Sequence, residues 1–191
     1  MYRSFHRSQK KQRPLQGLTA IELLVTMAVL AVLAAIAAPS FTPLFEKWRI
    51  YQVIEAMKSS LMLARSEAVK RGGNVYLERL PPTSIGCVTD GTNQDWDCGW
   101  VVFIDANANK RWNAGEEIQR YETPRNTSVT RSKSGITISF DRWGMADGAN
   151  LIGFAITPIP AGVSSPSTQG ICMSAGGRIR IIEQKDVPCT K

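Results

Sequence analysis

Histidine is almost missing from this chain of 191 residues, because its one histidine, His6, lies among the first seventeen. The rest of the sequence therefore lacks the commonest general base and a common zinc ligand. Paired carboxylates such as Asp95 and Asp97 remain, but adjacent acids in turn-rich sequence are usually solvated loop residues. We accordingly predict that the chain is not an enzyme and needs no cofactor.

Acidic residues are absent from the first seventeen positions. The five basic residues there are Arg3, Arg7, Lys10, Lys11 and Arg13. Without them the chain has 18 basic against 16 acidic residues, so its formal net charge falls from +7 to +2. Residues 125–191 hold eight Lys and Arg against four Asp and Glu. Any binding of nucleic acid would have to depend on that part.

The four cysteines, Cys87, Cys98, Cys172 and Cys189, lack the tight paired spacing of zinc ribbons. Disulfides formed in an oxidising compartment are the better interpretation. Pairing Cys87 with Cys98 and Cys172 with Cys189 closes two short loops, each stabilising by roughly 3 kcal/mol on the chain-entropy model. Sequence alone permits the other connectivities, and the alternative is free buried thiols.

Charge is also absent from Leu23 to Phe45, and Glu22 directly precedes this run. A helix over these residues would span about 30 Å of hydrocarbon, which allows a membrane anchor. An ordinary signal peptide cut near Ala37 or Ala38 also fits the basic leader and the small residues. Glu22 argues against it, because an intramembrane carboxylate usually marks a site with a specific partner.

The residues around Gly17 resemble the class III signal of type IV prepilins: a basic leader, Gly17, then Leu18 and, four positions on, Glu22. Pro39 falls where pilins carry a helix-loosening proline. Leu18 departs from the commoner phenylalanine, but the glycine and the glutamate are both present. The resemblance implies that residues 1–17 are a leader removed by prepilin peptidase, and that the new amino group of Leu18 is then methylated.

The same resemblance gives Glu22 a role in assembly. Cleavage would create an ammonium group on Leu18, with which the carboxylate of Glu22 could pair in its own or a neighbouring subunit. A buried carboxylate is tolerated when it is paired, and the pairing would fix axial register. The alternative is a charge near a helix end that reaches to the lipid headgroups.

Beyond Pro39 an amphipathic pattern continues. Its apolar positions are Ile50, Val53, Ile54, Met57, Leu61, Ala64 and Ala68. Their three-four spacing predicts a helix that ends at Lys70 to Gly73. We therefore predict one long helix over 18–72, with 18–40 as its membrane or filament-core part. The remainder, 73–191, is predicted to be β-rich.

Six strands are predicted in that remainder. They begin at Asn74, Gly99, Glu117, Gly135, Leu151 and Gly177. The tryptophans Trp100 and Trp143 lie within or beside these apolar strands, so we interpret them as core or edge aromatics rather than as base-stacking residues.

Four stretches, "ARSEAVKRGGNVYL", "GWVVFIDANANKRWNAGEEI", "ITISFDRWG" and "ICMSAGGRIR", resemble the GspH/FimT family of minor pilins and pseudopilins. The resemblance implies an α+β, type IV pilin-like fold, in which a long N-terminal helix packs on an antiparallel β-rich domain. It also implies a filament subunit of a type IV pilus or a type II secretion system, with prepilin peptidase and other pilins as partners. Such a subunit is held by a single pass in the Gram-negative inner membrane, with its globular domain in the periplasm.

One loop has part of a calcium-binding pattern, because Asp105, Asn107, Asn109 and Glu116 occupy positions one, three, five and twelve of an EF-hand loop. Position six should be a glycine and is Lys110. The flanking segments are predicted to be strands rather than helices. We therefore predict no metal site, and an Asn-rich hairpin is the preferred interpretation.

The segment "GGRIR" ends with Arg178 and Arg180, which share one face of a strand at a spacing suited to phosphates. The DNA-binding branch of the FimT family uses a Gly-Arg-x-Arg motif that Gly177, Arg178 and Arg180 match. Lys133, Lys185, Lys191 and Arg131 could widen this surface. Three hypotheses thus stand: a structural filament subunit, a DNA-binding minor pilin for DNA uptake, and a secreted calcium-binding or enzymatic domain.

Overall fold

The computed structural model describes residues 19–37, 41–82, 84, 87, 91–123, 125–146 and 151–189. The chain divides into two compact units, Met1–Phe41 and Thr42–Lys191. The second unit is α+β, with one helix packed against two antiparallel sheets, as predicted.

The first unit contains helix α1, Ala20–Ala37. It begins directly after Thr19, whose hydroxyl accepts a hydrogen bond from the N–H of Glu22 at 3.3 Å. Every large apolar side chain described in α1 is at least 52% exposed. No helix among the described residues is both long and apolar enough to cross a membrane. Gly17, Leu18 and Pro39 lie outside the described residues.

The second unit begins with helix α2, Thr42–Arg71. All seven predicted apolar positions are buried, together with Ser60. The helix ends as predicted, because Gly72 and Gly73 follow with φ of 79° and 109°, the left-handed region that favours glycine. The predicted helix over 18–72 is thus described as α1 and α2, separated by residues 38–41, of which 38–40 are not described.

Eight strands follow α2. They are β1 Val75–Arg79, β2 Trp100–Ile104, β3 Glu117–Tyr121, β4 Thr127–Arg131, β5 Thr137–Phe140, β6 Ile152–Pro158, β7 Gln169–Met173 and β8 Ile179–Glu183. Sheet A has the order β3-β2-β1-β5, and sheet B has the order β4-β6-β7-β8. All described pairings are antiparallel. Six of the strands match the predicted ones.

Strands β4 and β7 were not predicted. The β4 sequence, "TSVTR", has a single large apolar residue, Val129, and β7 contains Gly170, which strands generally disfavour. Both strands owe their conformation to pairing with β6. Partners distant in sequence therefore override weak local preference here.

Two of the four sheet edges, those of β4 and β5, are covered by neighbouring segments. Beside β4, Arg131 N–H donates to Gln94 C=O at 2.8 Å, and Trp96 N–H donates to Val129 C=O at 2.8 Å. Beside β5, Phe140 forms a bridge with Ala146. Strands β3 and β8 both carry exposed charged side chains, which discourage pairing. Strand β8 pairs only with β7 among the described residues.

Two disulfides join Cys87 to Cys98 and Cys172 to Cys189, with Cα–Cα distances of 5.2 and 5.7 Å. The second holds the segment after β8 against the face of sheet B that points away from α2. A Cβ atom on Gly153 would lie 2.8 Å from Cys189 Sγ, and one on Gly170 would lie 3.0 Å from Val187 Cγ2. These glycines leave the space that the segment fills.

Candidate functional site

The start of α1 is a reciprocal cap between Thr19 and Glu22. One carboxylate oxygen of Glu22, Oε2, accepts hydrogen bonds from the N–H and the hydroxyl of Thr19, both at 2.8 Å. The hydroxyl of Thr19 in turn caps the N–H of Glu22. This is a capping box, and the Thr-x-x-Glu spacing that encodes it is readable in the sequence. Our sequence interpretation considered only ammonium pairing or contact with headgroups for Glu22.

Arg178 and Arg180 lie at the hairpin between β7 and β8. Gly177 N–H donates to Ser174 C=O at 2.8 Å, and Ser174 N–H donates to Arg178 C=O at 3.0 Å. Gly177 has a φ of 81°, so the turn is closed by a glycine bulge. The glycine of the Gly-Arg-x-Arg motif therefore has a structural reason to be present.

Both arginines are exposed, and they face away from the core. Arg180 pairs across the ladder with Cys172, and opposite residues of a ladder share a face. Cys172 points to the outer face of sheet B, where its disulfide partner Cys189 lies. Neither arginine forms an ion pair with any other described residue. Their charge is thus available to an external anion.

Arg131 does not belong to that basic surface, contrary to the sequence interpretation. Its guanidinium Nη1 donates to Gly135 C=O at 2.9 Å and to Thr137 C=O at 3.0 Å. Its Cζ lies 5.9 Å from the ring centroid of Trp96. Burial lowers the pKa of the Arg131 guanidinium below its ordinary value. Arg131 therefore links strand β4 to the loop before β5. Lys133 and Lys185 are exposed, and Lys191 lies outside the described residues.

The Asp105 loop connects β2 and β3, so it is a hairpin rather than a helix–loop–helix unit. Asp105 accepts hydrogen bonds from the N–H groups of Asn109 and Lys110 at 3.0 and 2.9 Å. Asn107 Oδ1 accepts a hydrogen bond from Asn109 N–H at 3.0 Å, and Asn109 Oδ1 accepts one from Arg111 N–H at 2.8 Å. The oxygens of the calcium pattern therefore hold the backbone of the loop.

The fourth residue of the pattern, Glu116, behaves in the same way. Its Oε1 accepts from Ala106 N–H, and its Oε2 accepts from Asn113 N–H, each at 3.1 Å. Within the described parts of the chain, no group of three or more His, Cys, Asp and Glu is placed to hold a metal ion.

The paired carboxylates Asp95 and Asp97 also bind backbone. Asp95 Oδ2 accepts from Thr92 N–H at 2.7 Å, and Asp97 Oδ1 accepts from Val129 N–H at 2.5 Å. Desolvation by burial raises the pKa of Asp97, with a smaller contribution from the charge of Asp95, although the Val129 N–H opposes the shift. Asp97 thus holds the 94–97 segment to β4, whereas Asp95 caps the turn that begins at Thr92.

A groove of about 550 Å³ runs between α2 and the β7–β8 hairpin. Its apolar wall comprises Leu61, Met62, Val69, Met173 and Ile179. Lys58 and Arg65 provide its positive charges. No local sequence pattern predicts this groove, because its walls come from segments more than one hundred positions apart.

Trp143, which the sequence indicates to be a core or edge aromatic, is 73% exposed and so lies outside the core. It lies on the turn after β5, which is closed by Asp141 Oδ1 accepting from the N–H groups of Trp143 and Met145 at 2.9 and 2.8 Å. The next residue, Gly144, packs so closely on α2 that a Cβ atom there would lie 2.9 Å from Arg65 Cγ and from Val69 Cγ2. The exposed indole of Trp143 thus precedes Gly144, which packs against Arg65 and Val69 of the groove.

Known proteins share the fold of this chain. Two crystal structures of the type IV minor pilin FimU from Pseudomonas aeruginosa (strain PAO1) superpose with TM-scores of 0.53 and 0.56. They cover 71% and 76% of this chain and 94% and 96% of their own, at 17% identity, and this likeness shows the fold.

In sequence, the pilin-like protein PilA1 of Thermus thermophilus is 31% identical over 102 residues, which are 53% of this chain. The match spans about half, 56%, of that relative's length. The sequence pattern of the family described as "Type II transport protein GspH" matches residues 53–181. That range contains most of α2, strands β1 to β7 and the first three residues of β8. Because it covers more than half of the sequence, the chain belongs to the GspH family of pilin-like proteins.

Proposed function

We propose that this protein is a minor pilin or pseudopilin, a structural subunit without catalytic activity that is built into a type IV pilus or type II secretion filament. The observation that most supports this proposal is the exposure of the apolar side chains of α1. Its large apolar side chains point to all sides and are 52–70% exposed. A helix that is apolar all round needs an apolar environment on every side. A membrane, followed by the core of a filament, supplies such an environment.

Residues 1–17 are in this proposal a leader that prepilin peptidase removes, after which Leu18 is methylated. The helical region 18–72 then serves first as a single-pass anchor in the Gram-negative inner membrane, through 18–40, and later as a packing surface among other pilins. The domain 73–191 lies in the periplasm until assembly. Disulfides in that domain agree with an oxidising compartment.

Glu22 would contribute to assembly through its second carboxylate oxygen. Both hydrogen bonds from Thr19 end on Oε2, and Oε1 has no partner among the described residues. The ammonium group created on Leu18 by cleavage could bind there, from the same or a neighbouring subunit. A paired carboxylate is far less costly to bury than a lone one.

Mass spectrometry of the mature N-terminus tests this proposal. We expect a chain that begins at methylated Leu18 when the protein is produced with a prepilin peptidase, and an uncut chain when Gly17 is changed to a bulkier residue. We also expect the processed chain to co-purify with other pilins of its host. A mature chain that begins near Pro39 would indicate an ordinary signal peptide, and hence a secreted domain.

DNA binding during uptake is a second candidate, favoured by the exposure of Arg178 and Arg180 and by their lack of ion pairs in the described structure. Replacing both with glutamine should weaken the gel shift of duplex DNA. The logarithm of the association constant should then fall less steeply with the logarithm of salt concentration, by about 2 in the size of the slope. Replacing Lys70 and Arg120 instead removes the same charge elsewhere and is the matched control. Equal effects of the two double variants would contradict the hypothesis.

A further inference from the structure

We propose that the free edge of β8 and the adjoining groove, together called the β8 groove, bind an extended segment of a partner pilin subunit by strand addition. The segment would have apolar side chains at alternate positions and acidic residues among them. This inference rests on the proposed function, because it assumes that the chain assembles with other pilins. It adds the surface and the kind of partner segment.

The backbone of β8 offers hydrogen-bonding groups on its free side. Ser174 N–H donates to Arg178 C=O, and bonded pairs alternate along an antiparallel ladder. The next bonded pairs are therefore Cys172 with Arg180 and Gly170 with Ile182. It follows that the N–H and C=O groups of Ile179 and Ile181 point away from β7. No strand among the described residues uses them.

The side chains beside this edge are apolar and exposed to solvent. Ile179 lines the groove, and Ile181 lies on the same face of β8 at 43% exposure. Across the groove, Met62 and Val69 of α2 are 57% and 54% exposed. A strand added to β8 would place every second side chain over these residues. The edges of β4 and β5 are covered by neighbouring segments, whereas no described segment covers the backbone edge of β8.

Charge indicates the chemistry of the partner. Lys58 and Arg65 lie in the groove, and Arg178 and Arg180 flank the edge without ion pairs in the described part of the chain. Lys58 is ion-paired with Glu55, and Arg65 donates to Gly177 C=O. A partner strand with its apolar side chains over the groove would place the alternate, acidic side chains on the outer face, where they would complement Arg178 and Arg180. Duplex DNA could meet Arg178 and Arg180 on the outer face, but it would not fill an apolar groove on the opposite face. The observations therefore favour a polypeptide.

The test uses the full chain in detergent and two synthetic peptides. One has the sequence EVTVEVTVE, and the other is the same peptide with backbone N-methyl groups at alternate residues on the edge that would pair. We expect the unmodified peptide to bind roughly tenfold more tightly or better, because several backbone hydrogen bonds are lost in the methylated one. Binding should also slow hydrogen exchange at the amides of Ile179 and Ile181.

Ile181→Lys tests the edge itself, because a lysine there should oppose strand addition while leaving the β7–β8 ladder intact. We expect it to weaken peptide binding by about tenfold, with an unchanged melting temperature and an intact second disulfide. Gln52→Lys adds the same charge at an exposed position of α2 outside the groove and should bind as the unchanged chain does.

Three results would overturn the inference: no binding of EVTVEVTVE, equal binding of the methylated peptide, or full binding by Ile181→Lys. Protection of the same amides by duplex DNA but not by the peptide would assign the surface to nucleic acid and also overturn it. The proposed function fails separately, through the N-terminus. If Ile181→Lys is processed at Gly17 and enters filaments as before, the function stands and the β8 groove does not.

Discussion

The indole N–H of Trp100 donates a hydrogen bond to the hydroxyl of Ser60 at 2.9 Å, and both residues are 1% exposed. Ser60 donates in turn to Gln119 Oε1 at 3.2 Å. A single hydroxyl on α2 thus satisfies polar groups of β2 and β3. Buried polar groups are costly when they lose their partners, so this small network bears on the stability of sheet A against the helix.

Ser60→Ala should lower the free energy of unfolding by about 1–3 kcal/mol, because it leaves the buried indole N–H of Trp100 without an acceptor. Denaturant unfolding followed by tryptophan fluorescence measures the change. Ser66→Ala, at an exposed position of the same helix, should change it by no more than about 0.5 kcal/mol. Equal effects of the two substitutions would show that the Ser60 network contributes nothing.

Glu22→Gln and Glu22→Ala separate the two roles of Glu22. Glutamine can still form the capping box but has no charge, whereas alanine loses both and should let the first turn of α1 fray. If ammonium pairing guides assembly, both variants should be processed normally and yet be depleted from sheared filaments. Normal incorporation of the glutamine variant would reduce Glu22 to a helix cap.

Loss of the second disulfide, but not of the first, should expose the segment after β8 to proteases. Replacing Cys172 and Cys189 with serine should lower the free energy of unfolding by about 3 kcal/mol, and it should increase proteolysis after β8, where the segment is held over Gly153 and Gly170. Replacing Cys87 and Cys98 should cost a similar free energy without that cleavage. Limited proteolysis with mass spectrometry distinguishes the two, and identical cleavage patterns would contradict the expectation.

Asp97→Asn should make stability less sensitive to pH. The pKa of Asp97 is raised in the folded state, so ionisation there costs stability above the folded pKa. Below the ordinary pKa of 3.8, the carboxyl is protonated in both states and this cost disappears. Asparagine can still accept the Val129 N–H. The variant should therefore be at least as stable as the original at pH 7, and this advantage should shrink as pH falls towards 3.8.

Calcium should leave the melting temperature unchanged, because the oxygens of the Asp105 loop already accept backbone N–H groups. Asp105→Ala should lower the free energy of unfolding by about 1–3 kcal/mol equally with calcium and with a chelator. A calcium-dependent rise in melting temperature that Asp105→Ala abolishes would instead identify a binding site.

Much of the fold could be predicted because its signals are local. The buried stripe of α2 follows from helical periodicity, and its end follows from Gly72 and Gly73. The family resemblance and the α+β class were likewise confirmed. Strands β4 and β7 could not be predicted from the sequence, because their extended conformation depends on long-range pairing with β6.

The site was harder to predict, since its properties depend on which segments become neighbours. Arg131 is basic in sequence, yet it is turned inward beside Trp96. Trp143 is apolar in sequence, yet it is exposed on a tight turn. The β8 groove needs α2 and a hairpin far along the chain. Only the Thr19–Glu22 cap had a sequence signature that could have been used.

Arg65 connects two turns that belong to different sheets. Its guanidinium donates to Gly177 C=O at 3.3 Å, and a Cβ atom on Gly177 would lie 2.6 Å from its Cζ. Its Cγ limits Gly144 in the same way. Positions 65 and 177 should therefore covary across the family. A relative with a small residue at position 65 has room for asparagine, which tolerates positive φ, at position 177. Position 144 should remain glycine even there, because Val69 Cγ2 also lies 2.9 Å from the place of its Cβ atom.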